Sequence, residues 1–471
     1  MAQASEYKPV IQDVQSRFGM LRVIDGYPTD ETVAKLFAEI DFQRACQAFI
    51  WALPAVGFHG LHLAHSNTFG ANDGEMVLYK TLQDKAGMLT PNMTTLYLMS
   101  FWDLGKAGPL VVDVPAGLTA GGVLDIWQRN VCDMGQTGPD KGKGGKYLLI
   151  GPEEKEMEAE GYIVIRSTSN KIWFATRGLS PDEAEAEALV RKHNLYAWKD
   201  RAKPAQSPVK PVGGKPWVSA QPVSLDYWQF LSDVLQGEPI DPRDRFFLAM
   251  LSPLGIEQGR PFAPTEAQKA TLEEAAQVGE LMARINATDK RLPGAVVWPG
   301  VEWQYANMVE LDQEGEKFAQ LDERASWFYE AIANSAGMQG RTLGVGQAYL
   351  ETSKDKDGGW LSGGKKYRLH VPPKVPARQF WSITLYDVTT RGPVISASGS
   401  ADISSRTEGL EVNADGSVDI YTGPTKPAGS NKNWIQTNPG TGWFPYFRFY
   451  GPEQPYFDKS WSLPDFERLQ D

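Results

Sequence analysis

The segment KKYRLHVPPKVPARQFWSITLYDV, residues 365–388, decides the fold class. Two runs of alternating apolar and polar residues flank a proline-rich turn. Period two is the periodicity of a strand, and aromatic and β-branched residues fill it. SVDIYTG (417–423) and WFPYFRFYG (443–451) repeat the pattern, with glycine and proline between the runs. Short strands at these intervals predict a C-terminal jelly-roll-like β-sandwich over residues 336–471.

A second group of such runs lies upstream: PLVVDVP (109–115), KYLLIGP (146–152), YIVIRST (162–168) and KIWFATRG (171–178). Their spacing predicts a compact sandwich or barrel. Ahead of them, YPTDETVAKLFAEIDFQRACQAFIWALP (27–54) has helical spacing, with Thr29 or Asp30 as cap and Pro54 expected to kink or restart the helix. SPDEAEAEALVRKHNLYAW (180–198) reads as a helix capped by Ser180, and residues 200–222, rich in Pro, Lys and Gly, as an extended linker. Helices then return at 224–237, 241–255, 264–287 and about 315–336. The expected fold is α+β, predominantly β. It has a lead-in over 1–30, an N-terminal domain of helices then strands over 31–199, a linker and helical connection over 200–335, and the C-terminal sandwich.

The chain of 471 residues carries 58 acidic and 47 basic side chains, a net charge of −11. Nucleic acid and anionic membranes both call for basic surface, so neither is a favoured partner. No apolar run approaches the ~20 residues of a membrane span. The two cysteines, Cys46 and Cys132, allow at most one disulfide and no zinc ribbon. Ala2-Gln3-Ala4 has the A-x-A shape found left of a secretory cleavage site. That favours a periplasmic or secreted location, with a cytoplasmic one as the alternative. No G-x-S-x-G elbow, Walker A motif or strand-then-GxGxxG fingerprint is present, so nucleotide, flavin and nicotinamide use lack a signal.

Three of the five histidines fall in FHGLHLAHSN (58–67): His59, His62 and His65. On a helix each three-residue step falls back about 60°, which spreads the three over about 120°. One ion would use His59 with His62, or His62 with His65, and a distant carboxylate; Zn, Mn or Fe would suit such a set. The competing reading is a helix face that carries imidazoles without a metal. His370 on its strand reads as a satisfied histidine, and His193 as solvent-facing.

In WFPYFRFYG, alternation puts Tyr446, Arg448 and Tyr450 on one face and Phe447 and Phe449 on the core face. In FWSITLYD, Ser382, Thr384 and Tyr386 share a face. Neighbouring strands would make a polar aromatic wall suited to a carboxylate, phosphate or sugar. Tyr97, with Trp127 and Arg129, could supply the other domain's side.

LTPNMTTLYLMSFWDLGKAGPLVVDVPAG (89–117), LDIWQRNVCDMGQTG (124–138) and GGKYLLIGP (144–152) resemble the domain of unknown function 1254. KYRLHVPPKVPARQFWSITLYD (366–387), with NADGSVDIY, NWIQ and FRFYGP, resembles its usual C-terminal companion in bacterial proteins, domain of unknown function 1214. The resemblance implies a β-rich N-terminal domain, helical connections, a jelly-roll-like C-terminal domain and frequent export, but no chemistry. The family's Pro-Asn-x-Asp-Thr reads Pro91-Asn92-Met93-Thr94-Thr95 here, so an acid is missing at Thr94.

These observations lead to an enzyme acting on a small or oligomeric polar substrate in a cleft between the two β domains. Metal-assisted hydrolysis is the most economical chemistry, with His59, His62 and His65 as candidate ligands and Tyr97 and Arg448 stabilising developing charge. Trp127, Arg129, Tyr386, Tyr446 and Tyr450 would bind the substrate. A non-catalytic protein binding carbohydrate or a small ligand is the main alternative, and a metal-dependent lyase or oxygenase another. A homo-oligomer that buries its β edges is expected.

Overall fold

The computed structural model describes residues 7–427 and 432–470, so Ala2–Ala4 lie outside the described residues. The lead-in forms a small sheet of β1 (Ile11–Ser16), β2 (Gly19–Ile24) and β3 (Tyr27–Pro28), in that order. Helix α1 (Asp30–Leu63) follows; the Thr29 side chain accepts from the Thr32 amide, and Asp30 and Glu31 occupy the positive first turn. It continues through Pro54 without restarting. Gln128 Nε2 donates to the Pro54 carbonyl at 2.8 Å, and Gln221 Nε2 to the Leu53 carbonyl at 3.3 Å. Both amides reach the helix where Gly57 has no side chain: a Cβ there would lie 3.2 and 3.3 Å from them.

The N-terminal β domain is a pair of sheets sharing one core. The six-stranded sheet runs Val209–Pro211, Met76–Tyr79, Tyr97–Asp103, Lys171–Gly178, Thr119–Leu124, Asn130–Gly135; the four-stranded sheet runs Tyr162–Arg166, Gly145–Ile150, Leu110–Val114, Asn194–Ala197. Leu98, Val123, Ile172 and Phe174 from the first meet Leu110, Val112, Tyr147 and Leu149 from the second. The other face of the six-stranded sheet packs Met99, Phe101, Leu124 and Trp173 against α1 and the helices Leu225–Leu235, Arg245–Leu251, Glu266–Thr288 and Leu321–Glu330. Tyr349, Tyr386, Phe444 and Tyr446 of the C-terminal domain complete the same core. The chain is therefore α+β and rich in sheet, with helices clasped between two β domains.

The C-terminal domain is a five-stranded sheet (Gln304–Tyr305, Gln347–Glu351, Trp443–Pro452, Ala377–Asp387, Asp402–Ser404) on a four-stranded one (Trp434–Gln436, Val418–Gly423, Tyr367–Val371, Glu467–Arg468). Leu350, Ile383, Phe447 and Phe449 meet Tyr367, Leu369, Ile420 and Phe466 between them.

Three segments differ from expectation. The linker at 200–222 is part of the N-terminal domain: Val209–Pro211 pairs parallel with Met76–Leu78, and Trp217 Nε1 donates to the Asp84 carbonyl at 2.9 Å. The helix expected over 180–198 spans Glu183–Val190, capped by Asp182, because Asn194–Ala197 pairs with Leu110–Asp113 as a strand. That turn buries His193, whose Nδ1 bonds the Val190 carbonyl at 2.8 Å, so it does not face solvent. The helix expected near 315–336 is Leu321–Glu330. Both cysteines are free and buried.

Candidate functional site

The strand Trp443–Pro452 lies at the middle of its sheet. Phe447 and Phe449 enter the sandwich core, which turns Tyr446, Arg448 and Tyr450 towards the N-terminal domain. Register places Arg448 between Ser382 and Tyr349, and Tyr446 between Thr384 and Glu351. On the facing domain, Tyr97 and Arg177 are register partners on adjacent strands. Between the two sheets lies a cavity. Tyr97, Arg177, Gln347, Tyr349, Tyr446 and Arg448 form its polar wall; Met88, Leu89, Met99, Trp173, Trp327 and Ile332 form its apolar wall.

Two guanidinium groups dominate the polar wall. Arg448 is buried; its Nη1 donates to Thr384 Oγ1 at 3.1 Å and its Nη2 to the Thr90 carbonyl at 2.8 Å, while Nε has no partner among the described residues. Its guanidinium carbon lies 5.1 Å from the ring of Tyr446 and 5.6 Å from those of Tyr349 and Tyr386. Arg177 Nη1 donates to Gln347 Oε1 at 3.0 Å, an oxygen that also accepts from Tyr349 Oη at 2.8 Å. Among the described residues neither arginine is within ion-pairing distance of a carboxylate. Tyr97 Oη accepts from the Asn92 amide at 2.9 Å and from Asn92 Nδ2 at 2.7 Å, which leaves its own proton to donate elsewhere.

Behind the wall sit buried charges. Tyr446 Oη donates to Glu330 Oε1 at 2.5 Å. Burial pushes the Glu330 carboxyl up to about 7, against the pull of Lys290 and of the Tyr446 hydrogen bond. Lys290, paired with Glu351, is held down to about 8 by burial. On the other flank Thr384 Oγ1 donates to Asp402 Oδ2 at 2.8 Å, and burial raises that carboxyl to about 6. Thr94, where the resemblance expects an acid, has its Oγ1 3.3 Å from Tyr450 Oη.

Tyr97, Tyr446 and Arg448, chosen from the sequence, thus line one cavity. Tyr386 and Tyr450 back its wall: Tyr386 Oη donates to the Pro91 carbonyl at 2.6 Å, and Tyr450 stacks on Phe380 with ring centroids 3.8 Å apart. Trp127 and Arg129 are elsewhere, which corrects their assignment to this wall. The Trp127 ring packs 4.6 Å from that of Trp51, and Arg129 is ion-paired with Asp125 at 2.6 Å and Asp241 at 3.2 Å. Local sequence does not single out Arg177, Gln347, Tyr349 or Glu330. The strand runs KIWFATRG and QAYLE signalled that Arg177 and Tyr349 alternate with core residues, but not which surface they meet.

The histidines diverge. His59 Nε2 is 3.9 Å from Asp233, His62 Nε2 is 2.9 Å from Asp73, and His65 Nε2 shares a hydrogen bond of 2.7 Å with Tyr79 Oη. α1 gives way after Leu63 to a π turn, Ala64–Thr68, which carries His65. Among the described residues no group of three or more His, Cys, Asp or Glu is placed to hold a metal ion, so the expected histidine ligand set does not fit one. His370 bonds Asp419 across its sheet at 2.8 Å, a satisfied strand histidine.

Comparison with known proteins agrees with this layout. Residues 75–197 match the family described as a protein of unknown function (DUF1254), and residues 346–454 match a second protein of unknown function (DUF1214). The chain belongs to the family that pairs these two domains. All six polar wall residues of the cavity fall within the matched segments, Tyr97 and Arg177 in the first and the rest in the second. Among solved structures, the VPA0106 protein of Vibrio parahaemolyticus is 16% identical with a TM-score of 0.56, over 91% of this chain and 100% of that one; it shares the fold. An uncharacterized protein from Burkholderia cenocepacia is 14% identical with a TM-score of 0.41, over 93% and 97% of the two chains. No curated protein matches the chain.

Proposed function

We propose that this protein binds a small amphiphilic anion, a carboxylate or similar group on an apolar body, in the cavity between its two β domains. One observation carries the reading: Arg177 and Arg448, from opposite domains, line a single cavity without a carboxylate partner among the described residues. A buried guanidinium without an ion-pair partner, as Arg448 is, is costly, and an anion entering the cavity would reach both it and the half-buried Arg177. Arg is also suited to forked recognition of carboxylate and phosphate. The opposite wall of Trp173, Trp327, Met99 and Ile332 would take the apolar body.

The test is calorimetric titration with aryl and medium-chain alkyl carboxylates beside their neutral amides, and with neutral oligosaccharides. The carboxylates should bind at least tenfold tighter than the amides. A hydrogen bond to a charged group contributes ~1.5–3 kcal/mol, so Arg177→Gln should weaken carboxylate binding roughly 10- to 100-fold. Equal binding of acid and amide, or preference for neutral sugar, refutes the proposal.

A second reading, turnover of the bound ligand, is favoured by the Tyr446–Glu330 hydrogen bond. A carboxyl poised near neutrality behind a cavity-lining phenol is suited to general acid–base work, with no step through a metal. Product from a bound carboxylate, followed by mass spectrometry and lost in Glu330→Gln with binding retained, would support it.

A further inference from the structure

The first described part of the chain stands apart from every core. The buried apolar side chains of all four hydrophobic clusters begin at Ala45; among the described residues none comes from β1, β2, β3 or the first turns of α1. The little sheet is fastened to α1 by polar contacts: Thr32 Oγ1 accepts from the Arg22 amide at 2.9 Å and donates to the Arg22 carbonyl at 3.0 Å. Yet this arm is not polar. Tyr7, Val10, Ile11, Val14, Met20, Tyr27, Phe37 and Ile40 are all exposed, Tyr27 by 77% and Phe37 by 64%. A short sheet with no buried face is marginal on its own, and apolar exposure gathered in one place marks an interface.

β1 is also a free edge. It pairs with β2 on one side only, in unbroken register from Ile11↔Ile24 to Ser16↔Gly19. IQDVQS contains no Lys, Pro or bulge, the usual devices that block edge-to-edge pairing, and its single charge, Asp13, is neutralised by Arg22 at 2.8 Å.

We propose that the arm is the interface of a two-fold dimer of this chain, with β1 pairing antiparallel to β1 of a second copy and the exposed face of α1 beside it. Charge selects a second copy over other occupants. Residues 7–44 carry five basic and six acidic side chains, so nearly all of the −11 lies in the rest of the molecule. With nearly balanced charge, two copies of the arm can meet without net like-charge repulsion, and the arm has no basic excess to seat an anionic bilayer. A two-fold axis through Val14 sets Asp13 opposite Gln15, so no like charges face each other across the new pair. At about 1.5 Å per residue the exposed half of α1 adds roughly 20 Å of helix to the contact.

Sedimentation velocity of the full chain at tens of micromolar should give twice the 52.1 kDa chain mass. A variant combining Ile11→Lys, Val14→Lys, Phe37→Glu and Ile40→Glu should run as monomer and keep the wild-type circular dichroism spectrum, since all four side chains are exposed. In a second measurement, Val14→Cys should form an intermolecular disulfide under mild oxidation at least tenfold faster than Val412→Cys, an exposed control outside the arm; Cys46 and Cys132 are buried and should not compete. A monomeric wild type, a four-site variant that remains dimeric, or equal cross-linking at Val14 and Val412 overturns the proposal. So does flotation of a monomeric wild type with phosphatidylcholine–phosphatidylserine vesicles that the four-site variant loses, which would make the arm a bilayer contact.

Discussion

Arg448 and Thr90 lie 358 positions apart in the chain, yet the guanidinium of one donates to the carbonyl of the other at 2.8 Å. Tyr386 makes the same kind of crossing to the neighbouring Pro91 carbonyl. Two side chains of the C-terminal sheet therefore hold the loop that leads into the strand bearing Tyr97, and the cavity exists only when the domains are joined. Arg448→Met should strip that loop of a charged donor, leave the Thr90 carbonyl and Thr384 hydroxyl short of partners, and cost about 2–4 kcal/mol. Arg177→Gln removes a less buried group with one side-chain hydrogen bond and should cost about 1 kcal/mol. Both should weaken carboxylate binding. Urea melts with and without ligand separate the two effects.

The glycines of the cavity floor set a second expectation. A Cβ at Gly121 would lie 2.1 Å from the Ala175 carbonyl oxygen, and one at Gly122 would lie 2.2 Å from that of Cys132. Both obstacles are backbone of adjacent strands, which cannot step aside as a side-chain tip can. Gly121→Ala should push the strand Thr119–Leu124 away from Lys171–Gly178, displace Arg177, and cost more than ~3 kcal/mol. Gly60, inside α1, meets only Phe230 at 3.7 Å, an ordinary contact. Gly60→Ala should therefore stabilise by up to ~1 kcal/mol through helix propensity. Thermal melts of the pair should move in opposite directions; two shifts of one sign would contradict the argument.

The wall of the cavity was legible where chemistry follows local periodicity. Alternation alone sent Tyr446, Arg448 and Tyr450 to one face and Phe447 and Phe449 to the other. What alternation cannot carry is the pairing of surfaces. Arg177 meets Gln347 across 170 positions, and nothing near either residue signals the encounter. Trp127 and Arg129 read as wall residues for the same reason in reverse. Their residue types suit a binding surface, but Asp125 and Asp241 hold the Arg129 side chain out of the cavity lining. The histidine cluster misled because three residues per step looks like a site in one dimension. On α1 and its π turn each ring meets its own partner. The 200–222 segment read as linker because proline and lysine hide a three-residue parallel strand.

Three buried histidines, His59, His65 and His193, contribute to acid sensitivity. Burial holds His59 down to about 4, His65 to about 3 and His193 to about 4. An imidazole whose folded pKa lies below its unfolded value of about 6.5 binds fewer protons when folded. Its contribution is fully present above pH 6.5 and is lost as the pH falls towards the folded pKa. His65→Gln keeps a polar atom for Tyr79 but removes the titration. At pH 7 it should cost about 1–2 kcal/mol. By pH 5 the gap to wild type should narrow by roughly 2 kcal/mol, at ~1.4 kcal/mol per unit of pH below 6.5. Denaturant melts at the two pH values measure this directly, and a constant gap would show that His65 takes up its proton at the same pH folded and unfolded.

Glu330 runs the other way. Its folded carboxyl titrates at about 7 against an ordinary value of 4.5, so the folded state binds the extra proton between those values. Stability from this group falls as the pH rises from 4.5 to 7 and is flat beyond, a span of roughly 3 kcal/mol. Glu330→Gln retains an acceptor for the Tyr446 hydroxyl and removes the titration, so its stability relative to wild type should rise by a similar amount between pH 5 and 7. Tyr446→Phe has the opposite signature. The phenol stabilises the ionised carboxylate more than the neutral acid. Its loss should cost little at pH 5 and up to about 2 kcal/mol more at pH 8.5, the most that a carboxyl titrating at about 7 can gain by ionising there. Divergent slopes for the two variants would establish that the buried carboxyl changes charge near neutrality under the control of a residue lining the cavity. Parallel slopes would mean that Glu330 keeps one charge state throughout, and the acid–base reading of Tyr446 would fall with it.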